Sequence, residues 1–449
     1  MTQTFSSASA AWSRLAGFRA DRARCKRFVY GEQWDDLVPD GQGMITEAEY
    51  IRNLGQLPMK NNILRRILRN VIGLYRSQYK VPCLSAKDSG LSGRSLREAN
   101  AARRRWFQEN HMEELAPRLL EEFLISGIVA VKAEGRRILP VTPDNFFFHS
   151  AGYDPRGLDI DLIGERHTVG FGTLMERFCE SADDYLRLIE SYPPETRGSE
   201  GCLIIEVWHK EWNLFGLIHD REKATLRVVP IEPATDRDKL PDNRSPDFRK
   251  VRTFVKSGWR RTWYASDGTM LRRSGLMERH PYIFKAYPFL DGEVHSYIGD
   301  LIDQQKYVNR LITLYDFIMK SSAKGVLLFP DECIPTGMDL QDVADEWSRF
   351  NGVIPFKAKP GVPLPTQVSG NAANIGITDL LKVEMQMLED ISGVSPTLQG
   401  KLTANSTSGT LFAQQNAAAQ TSLLDILRSF TDFLSRICRN IIPGSPLKP

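Results

Sequence analysis

The chain has 449 residues, of which 42% are hydrophobic and 25% are charged, a composition typical of a soluble globular protein with two or three domains. No run of about 18 uninterrupted apolar residues is present, which excludes a membrane-spanning helix, and the first residues do not read as a secretory signal. The net charge of +3 is uneven: residues 1–110 hold 19 basic and 10 acidic side chains, or +9, which leaves −6 for the rest. We expect the protein to stay in the cytosol where it is made.

The first quarter of the sequence predicts helices over residues 9–30, 60–80, 94–110 and 113–126, the last followed by the turn-forming Gly127. A basic block overlaps the second of these helices, because residues 50–87 contain eight basic side chains and no acidic one. Such a block can bind nucleic acid through its phosphates, face an acidic partner, or remain a solvated surface.

The middle of the chain is rich in β-branched and aromatic residues and predicts an antiparallel sheet or small barrel. A helix is predicted near residues 174–191, and the charged, proline-rich segment 233–250 is expected to be exposed. The predicted strands are 128–133, 202–209, 213–219, 226–231, 252–256 and 261–265.

Two amphipathic stretches then enclose a compact insert. The apolar residues of the first stretch share one helix face: Leu301, Val308, Leu311, Tyr315 and Ile318. The apolar residues of the second stretch also share one helix face: Ile377, Leu381, Leu388 and Ile391. A stripe this narrow favours packing against a neighbouring copy, although an antiparallel helix pair inside one domain gives the same pattern.

The insert covers about residues 325–365 and predicts a miniature α/β unit. Strands are predicted at 326–329 and 353–356, with a helix at 339–350 between them. This helix is expected to pack through Leu340, Val343 and Trp347.

The last predicted helix is the longest, about 30 residues or roughly 45 Å. Its periodic positions are Phe412, Asn416, Ala419, Leu423, Leu427, Phe430, Leu434, Ile437 and Ile441. Residues 402–424 carry no charged side chain, which suits a buried packing segment in the helical half.

Chemical motifs are missing from this sequence. The six cysteines form no CxxC pair, which argues against a disulfide framework and a zinc site and favours reduced, mostly buried thiols. There is no GxxxxGK[ST] loop, HExxH or GxSxG, and the seven histidines are dispersed. We therefore expect no enzyme, no catalytic residue, no metal and no cofactor.

Several features in this order resemble tailed-bacteriophage portal proteins, the head-tail connector family. They are YGEQW at 30–34, the β-rich middle, the helix-insert-helix arrangement, and SGVSPTLQGKLTANSTSGTLF at 392–412 before a long helix. The resemblance implies an α+β, portal-like fold with a helix-rich wing, a β-rich middle, a two-helix stem, a small α/β clip and a long C-terminal helix.

The domain boundaries that this resemblance implies can be placed on the sequence. They are 1–127 for the basic, helical part of the wing, 128–290 for the β-rich wing domain, 291–324 for the first stem helix, 325–374 for the clip, 375–392 for the second stem helix, 393–411 for the tunnel-loop region and 412–449 for the long wing helix. Few residues follow that helix, so a crown is doubtful and the chain is either a compact member or a truncated product.

The resemblance also implies a function and partners. The family forms a ring, usually of twelve copies, at one capsid vertex of the virion, and double-stranded DNA passes through it non-specifically when the terminase packages the genome and again at ejection. Expected partners are other copies of the chain, the terminase, the major capsid or scaffolding protein and head-completion or tail adaptor proteins, with no membrane. Assembly is expected in the host bacterial cytoplasm, and the basic block is expected to contact subunits or capsid.

Candidate site residues follow from the matched positions. DNA-channel candidates are Lys320, Lys324, Lys401, Asn405, Ser406 and Thr407, because a channel for any sequence needs weak contacts rather than strong phosphate binding. The helix dipole alone also favours Lys320 and Lys324 near a helix C-terminus. The candidates for binding terminase or adaptors through the clip are Asp342, Glu346, Arg349, Lys357 and Lys359.

An alternative function remains open at this point. The basic N-terminal helices, with Arg65, Arg66 and Arg69, also fit a nucleic-acid-binding accessory protein or processing enzyme. The mass under native conditions separates the two, because a channel requires a large closed ring.

Overall fold

A computed structural model describes residues 3–41, 43–78, 81–85, 92–150, 154–198, 201–220, 225–231, 248–287, 289–290, 293–324, 326–349, 352–368, 376–394 and 409–441. The chain divides into two compact units. We call the first, Met1–Lys26, Leu68–Asp300 and Gly409–Pro449, the sheet unit, and the second, Arg27–Ile67 and Leu301–Ser408, the helical unit.

The N-terminal helices lie close to the predicted positions, with one exception. The single helix predicted over 9–30 is wrong, because α1 (Gln3–Arg14) and α2 (Ala16–Tyr30) are separate helices that break at Leu15. The other three predictions are confirmed by α4 (Ile63–Gln78), α5 (Gly93–Glu109) and α6 (Met112–Ser126). Gly127 caps α6 at φ 76°, a conformation that favours glycine.

A short hairpin and helix stand between α2 and α4. Strands β1 (Leu37–Asp40) and β2 (Gly43–Thr46) pair antiparallel, and α3 (Glu47–Asn53) follows. The Thr46 hydroxyl accepts from the Glu49 amide while the Glu49 carboxylate accepts from the Thr46 amide, a capping box that fixes the start of α3.

Long antiparallel strands dominate the sheet unit. Within the described residues they run in the order β10-β9-β7-β6-β5, and β8 pairs with the second half of β7. Their bounds are β5 Phe146–Ser150, β6 Ile160–Val169, β7 Cys202–Asp220, β8 Thr225–Ile231, β9 Phe248–Ala265 and β10 Met270–Met277. A second sheet has the order β11-β3-β4, from β3 Ile128–Glu134, β4 Arg137–Val141 and β11 Tyr282–Ala286. A small ladder joins β12 Phe289–Leu290 to β13 Glu293–Val294.

Parts of the β prediction are wrong in detail. The segments predicted as 202–209 and 213–219 form the single strand β7, and 252–256 and 261–265 lie in the single strand β9. The helix predicted near 174–191 is divided into α7 (Phe171–Phe178) and α8 (Ala182–Ser191), followed by the short α9 (Pro194–Gly198). Strands β4, β5, β6, β10 and β11 were not predicted. The excursion predicted at 233–250 lies mostly outside the described residues.

The core of the sheet unit lies between its sheets and helices. Ile163 and Trp208 of the large sheet pack with Phe146 and Phe284, whose rings are 5.4 Å apart. The long helix α13 (Gly409–Ile441) buries Phe430, whose ring lies 5.4 Å from that of Tyr75 and 6.1 Å from that of Phe123. The prediction of a long C-terminal helix is confirmed, and Leu423, Leu427, Phe430, Leu434 and Ile437 are buried as its periodicity requires.

The helical unit contains α10 (Ile302–Lys324) and α12 (Ile377–Ser392), which pack together, with the insert between them in sequence. The insert has β14 (Val326–Leu328), α11 (Leu340–Ser348) and β15 (Thr366–Val368). The strand predicted at 353–356 is wrong: its described residues have no regular structure, and β15 instead pairs antiparallel with β14. Of the three residues predicted to pack α11, Val343 is buried, Trp347 is half-buried and Leu340 is exposed.

Candidate functional site

The buried side of α10 carries polar side chains in a ladder. Gln305, Asn309 and Thr313 are spaced four residues apart, so they share one helix face, and all three are buried. Apolar periodicity does not detect such a face, and sequence reasoning missed it. The spacing of polar residues at i, i+4 and i+8 was the available signal.

The ladder binds the backbone of the segment that leads into α4. The Met59 amide donates to Thr313 Oγ1 (3.0 Å), the Asn61 amide to Asn309 Oδ1 (3.0 Å), and the Ile63 and Leu64 amides to Gln305 Oε1 (3.0 and 3.2 Å). Gln305 Nε2 returns a hydrogen bond to the Asn61 carbonyl at 2.7 Å. Residues 57–62 belong to no helix or strand, and side chains of α10 supply hydrogen-bond partners for their backbone.

The YGEQW segment completes this network. Gln33 Oε1 accepts from Asn309 Nδ2 (2.7 Å), and Gln33 Nε2 donates to the Phe28 carbonyl (2.8 Å). Trp34 Nε1 donates to the Met59 carbonyl at 3.1 Å. Gln33 therefore ties the YGEQW segment to α10, and Trp34 ties it to the segment that leads into α4.

Ion pairs extend the network toward the hairpin. Lys306 Nζ lies 3.0 Å from Asp36 and 2.9 Å from Glu47, and Arg310 Nη2 lies 2.5 Å from Glu47. The Glu47 side chain is almost completely buried. Both cations are one residue C-terminal to a ladder residue. Hydrogen bonds therefore tie one strip of α10 to residues 59–64, and ion pairs tie the adjacent strip to Asp36 and Glu47.

The rest of the two helices leaves large apolar side chains exposed. On α12, Leu380, Val383, Met387 and Ile391 follow one another at spacings of three and four and are 39–50% exposed. On α10, Tyr307, Leu314 and Phe317 are 37–41% exposed. We call these two sets the stem stripes. Exposed apolar groups gathered on one helix face indicate an interaction surface.

The stem stripes share only Ile391 with the predicted ones. Of the predicted α10 residues, Leu301, Val308 and Leu311 are buried within the chain, while Tyr315 is partly exposed. Of the predicted α12 residues, Leu388 is buried and Ile391 is exposed. Each helix therefore has an internal apolar face and a separate exposed one.

Two of the DNA-channel candidates lie in helix α10. Lys320 is exposed, and its Nζ lies 2.6 Å from the carboxylate of Asp316 one turn earlier. Lys324 is the last residue of α10. Lys401, Asn405, Ser406 and Thr407 lie outside the described residues. The grouping of the six candidates in one channel site therefore stays a prediction.

Three clip candidates have local roles in α11. Asp342 and Asp339 form a reciprocal capping box at its start (2.8 and 2.9 Å). Glu346 pairs with Arg349 at 3.0 Å and accepts from the Val353 amide at 3.2 Å. These side chains stabilise the insert itself.

The other clip candidates are on the loop after α11. Lys357 donates to the Thr336 hydroxyl and its amide to the Cys333 carbonyl, whereas Lys359 is exposed. Sequence reasoning missed the apolar surface around them: Val353 is 78% exposed, and Phe356 and Leu364 are exposed as well. Apolar side chains that remain exposed close together are typical of an interaction surface.

The basic block of α4 is partly engaged inside the helical unit. The Arg65 guanidinium lies 4.4 Å from the centre of the Tyr30 ring, and Arg66 lies 3.8 Å from the Glu389 carboxylate on α12. Arg69 is exposed. Two of the three arginines that suggested nucleic-acid binding therefore contribute to packing in this unit.

A buried charge cluster occupies the large sheet. The Glu206 carboxylate is completely buried and lies 2.6 Å from Lys132 Nζ, 2.8 Å from Arg261 Nε and 3.2 Å from His167 Nε2. Burial raises the pKa of Glu206, but the hydrogen bond with His167 and the charges of Lys132 and Arg261 outweigh it and bring the pKa to about 2. Glu206 is therefore a structural anion.

Side chains that could hold a metal or form a disulfide are dispersed in the described part of the chain. Its histidine, cysteine and acidic side chains form no group of three or more that could hold a metal. All six cysteines are described and unpaired, and four of them are buried. None of the described helices has the length and apolar character needed to cross a bilayer.

Comparison with known proteins agrees with the sequence resemblance. No curated protein matches the chain. The family model described as phage P22-like portal protein matches residues 6–443, which is nearly the whole sequence and both units of the structure. The chain belongs to the phage P22-like portal protein family.

Proposed function

We propose that this portal protein assembles into a closed ring at one capsid vertex, through which the terminase packages double-stranded DNA and through which the DNA is later ejected. The ring contributes geometry and a wall, and it catalyses no reaction. The exposed stem stripes are the observation that carries the proposal, because an apolar helix face gains stability when a neighbouring copy covers it.

Closure of the ring follows from repetition of one contact. A stripe of one copy that packs against a different surface of the next makes a head-to-tail interface, which closes when the rotation per subunit divides a full turn. We propose twelve copies, as is usual in the family. Capsid or scaffolding protein would contact the outer part of the ring in the virion, and head-completion or tail proteins would bind after packaging.

We propose that α10 contributes Lys320 and Lys324 to the wall of the bore, together with Lys401, Asn405, Ser406 and Thr407. The Asp316–Lys320 pair supports this role, since a lysine neutralised on its own helix binds a passing phosphate weakly. Weak, sequence-independent contact is what a moving duplex requires.

We propose that the insert docks the terminase and the later adaptors. Lys359 and the exposed Val353, Phe356 and Leu364 support this, because an apolar centre with a charged rim is typical of protein interfaces. Asp342, Glu346, Arg349 and Lys357 would act mainly by holding the shape of the insert.

The ring is tested by placing a charge in a stem stripe. Leu380→Glu puts a carboxylate into the proposed contact, and the same change is repeated at every subunit interface. The control is Leu186→Glu, a leucine on α8 that is also exposed, at 56%. We expect rings from the wild type and the control and smaller species from Leu380→Glu, measured by native mass spectrometry and electron microscopy. Rings formed equally well by Leu380→Glu would refute a role for this stripe.

A further inference from the structure

A positively charged cleft opens in the sheet unit, with a volume of about 610 Å³. Its walls come from β3, α7, β7, β9 and β10 and from the residues that follow β10. Among the described residues that line it, one carboxylate, Glu134, stands against five cations: Lys132, Arg177, Arg261, Arg272 and Arg279.

Some of these cations already have partners. Lys132 and Arg261 contact the buried Glu206, and Arg272 lies 2.5 Å from the exposed carboxylate of Glu180. Arg177 and Arg279 are different: both are exposed, and neither has an ion pair or hydrogen bond with another residue that the structure describes. No described residue therefore compensates the positive charge of these two arginines.

The aromatic walls of the cleft restrict its ligand. Phe178, Trp208 and Trp263 are buried. The Arg261 guanidinium lies 4.6 Å from the centre of the Trp263 ring, and that of Arg272 lies 5.7 Å from the Phe178 ring. Because these ring faces are covered, a nucleic-acid base cannot stack on them as it does in single-strand-binding grooves.

We propose that this cleft binds an acidic peptide segment of a partner protein, with carboxylates held by Arg177 and Arg279. A guanidinium presents parallel N–H donors that match a carboxylate. The charged lining fits an exchangeable contact with another protein, whereas the apolar stem stripes fit permanent contacts between copies. This site does not depend on the proposed channel and exists in a single subunit.

The experiment measures binding of a fluorescent oligoglutamate peptide to the full chain by anisotropy. The test variant carries Arg177→Gln and Arg279→Gln. The control carries Arg14→Gln and Arg97→Gln, which removes the same charge from two exposed arginines of the sheet unit that do not line the cleft. An oligoglutamine peptide of equal length and a short DNA duplex are titrated in parallel, and thermal unfolding confirms that both variants fold.

We expect the oligoglutamate dissociation constant to rise about tenfold in the test variant, through the loss of two exposed charge-assisted contacts, and to change less than about twofold in the control. Oligoglutamine should bind none of the three proteins, the wild type, the test variant or the control. Equal weakening in both variants would show non-specific attraction and overturn the proposal. So would tighter binding of the duplex through the same two arginines, or a change of oligomeric state in the test variant, which would assign the cleft to contacts between copies.

Discussion

The polar ladder of α10 leads to a quantitative prediction for Asn309→Leu. The substitution removes three hydrogen bonds: Oδ1 accepts from the Asn61 amide (3.0 Å) and Gln305 Nε2 (2.9 Å), and Nδ2 donates to Gln33 Oε1 (2.7 Å). Asn309 is completely buried, and so are two of its partners, Gln305 and Gln33, which therefore cannot turn to water. Each buried group left without a partner costs about 1–3 kcal/mol. Since Gln305 keeps its bond to the Asn61 carbonyl, we expect a total of about 3–5 kcal/mol.

Thr313→Val provides a matched comparison on the same helix. It removes one hydrogen bond, from the Met59 amide at 3.0 Å, and leaves one donor unsatisfied, at about 1–2 kcal/mol. The two variants therefore differ in the number of bonds lost and share the same buried face.

Hydrogen exchange at the Ile63 and Leu64 amides measures the effect locally, because their acceptor, Gln305 Oε1, is present in both variants. At about 1.4 kcal/mol per factor of ten, we expect exchange to be about 100-fold faster or more in Asn309→Leu and about tenfold faster in Thr313→Val. Equal exchange in the two variants, or the reverse order, would refute the idea that the ladder holds this segment on α10.

Three further expectations concern the sheet unit. The pKa of Glu206 is about 2 in the folded protein against an ordinary 4.5, so its contribution to folding stability, on the order of 3 kcal/mol, is complete above pH 4.5 and is lost as the pH falls toward 2. Glu206→Gln leaves Lys132 buried beside a neutral group, so denaturation series should show this variant to be less stable at pH 7 and less sensitive to acid. A pH profile of stability that matches the wild type would contradict this. Gly127→Ala should lower the folding stability by about 2–4 kcal/mol, since its Cβ would lie 2.3 Å from a backbone oxygen. Gly135→Ala, also at positive φ but in open space, should lower it by about 1 kcal/mol. Equal losses of stability on thermal unfolding would be contrary evidence. His111 has φ 49°, so His111→Gly should raise the folding stability by about 0.5–1 kcal/mol. A lower melting temperature of this variant would argue against backbone strain at residue 111.

The sequence was sufficient to predict the long helices, because their apolar periodicity extends over many turns. It misjudged the length of β9 for a specific reason. Ser257 and Gly258 separate the two predicted segments 252–256 and 261–265, but Gly258 lies inside the strand, where a Cβ would come within 2.5 Å of Leu276 on β10. The glycine permits a close approach between strands, and one sequence cannot distinguish that role from a turn.

The same limit applies to α10. Its apolar pattern correctly placed Leu301 and Val308 on a buried face, but the face is completed by polar residues whose partners lie about 240–250 positions earlier in the sequence. Such pairing depends on tertiary structure. For that reason the exposed stem stripes, and the apolar surface at Val353 and Phe356, became visible only when the fold was known.

The mass of the purified full chain under native conditions tests the central claim most directly. Twelve copies of 50.9 kDa give about 611 kDa, and we expect a closed species of that size or of another single whole-number stoichiometry that persists on dilution. A folded monomer that remains at 50.9 kDa at all concentrations, with no annular particles by electron microscopy, would contradict the ring.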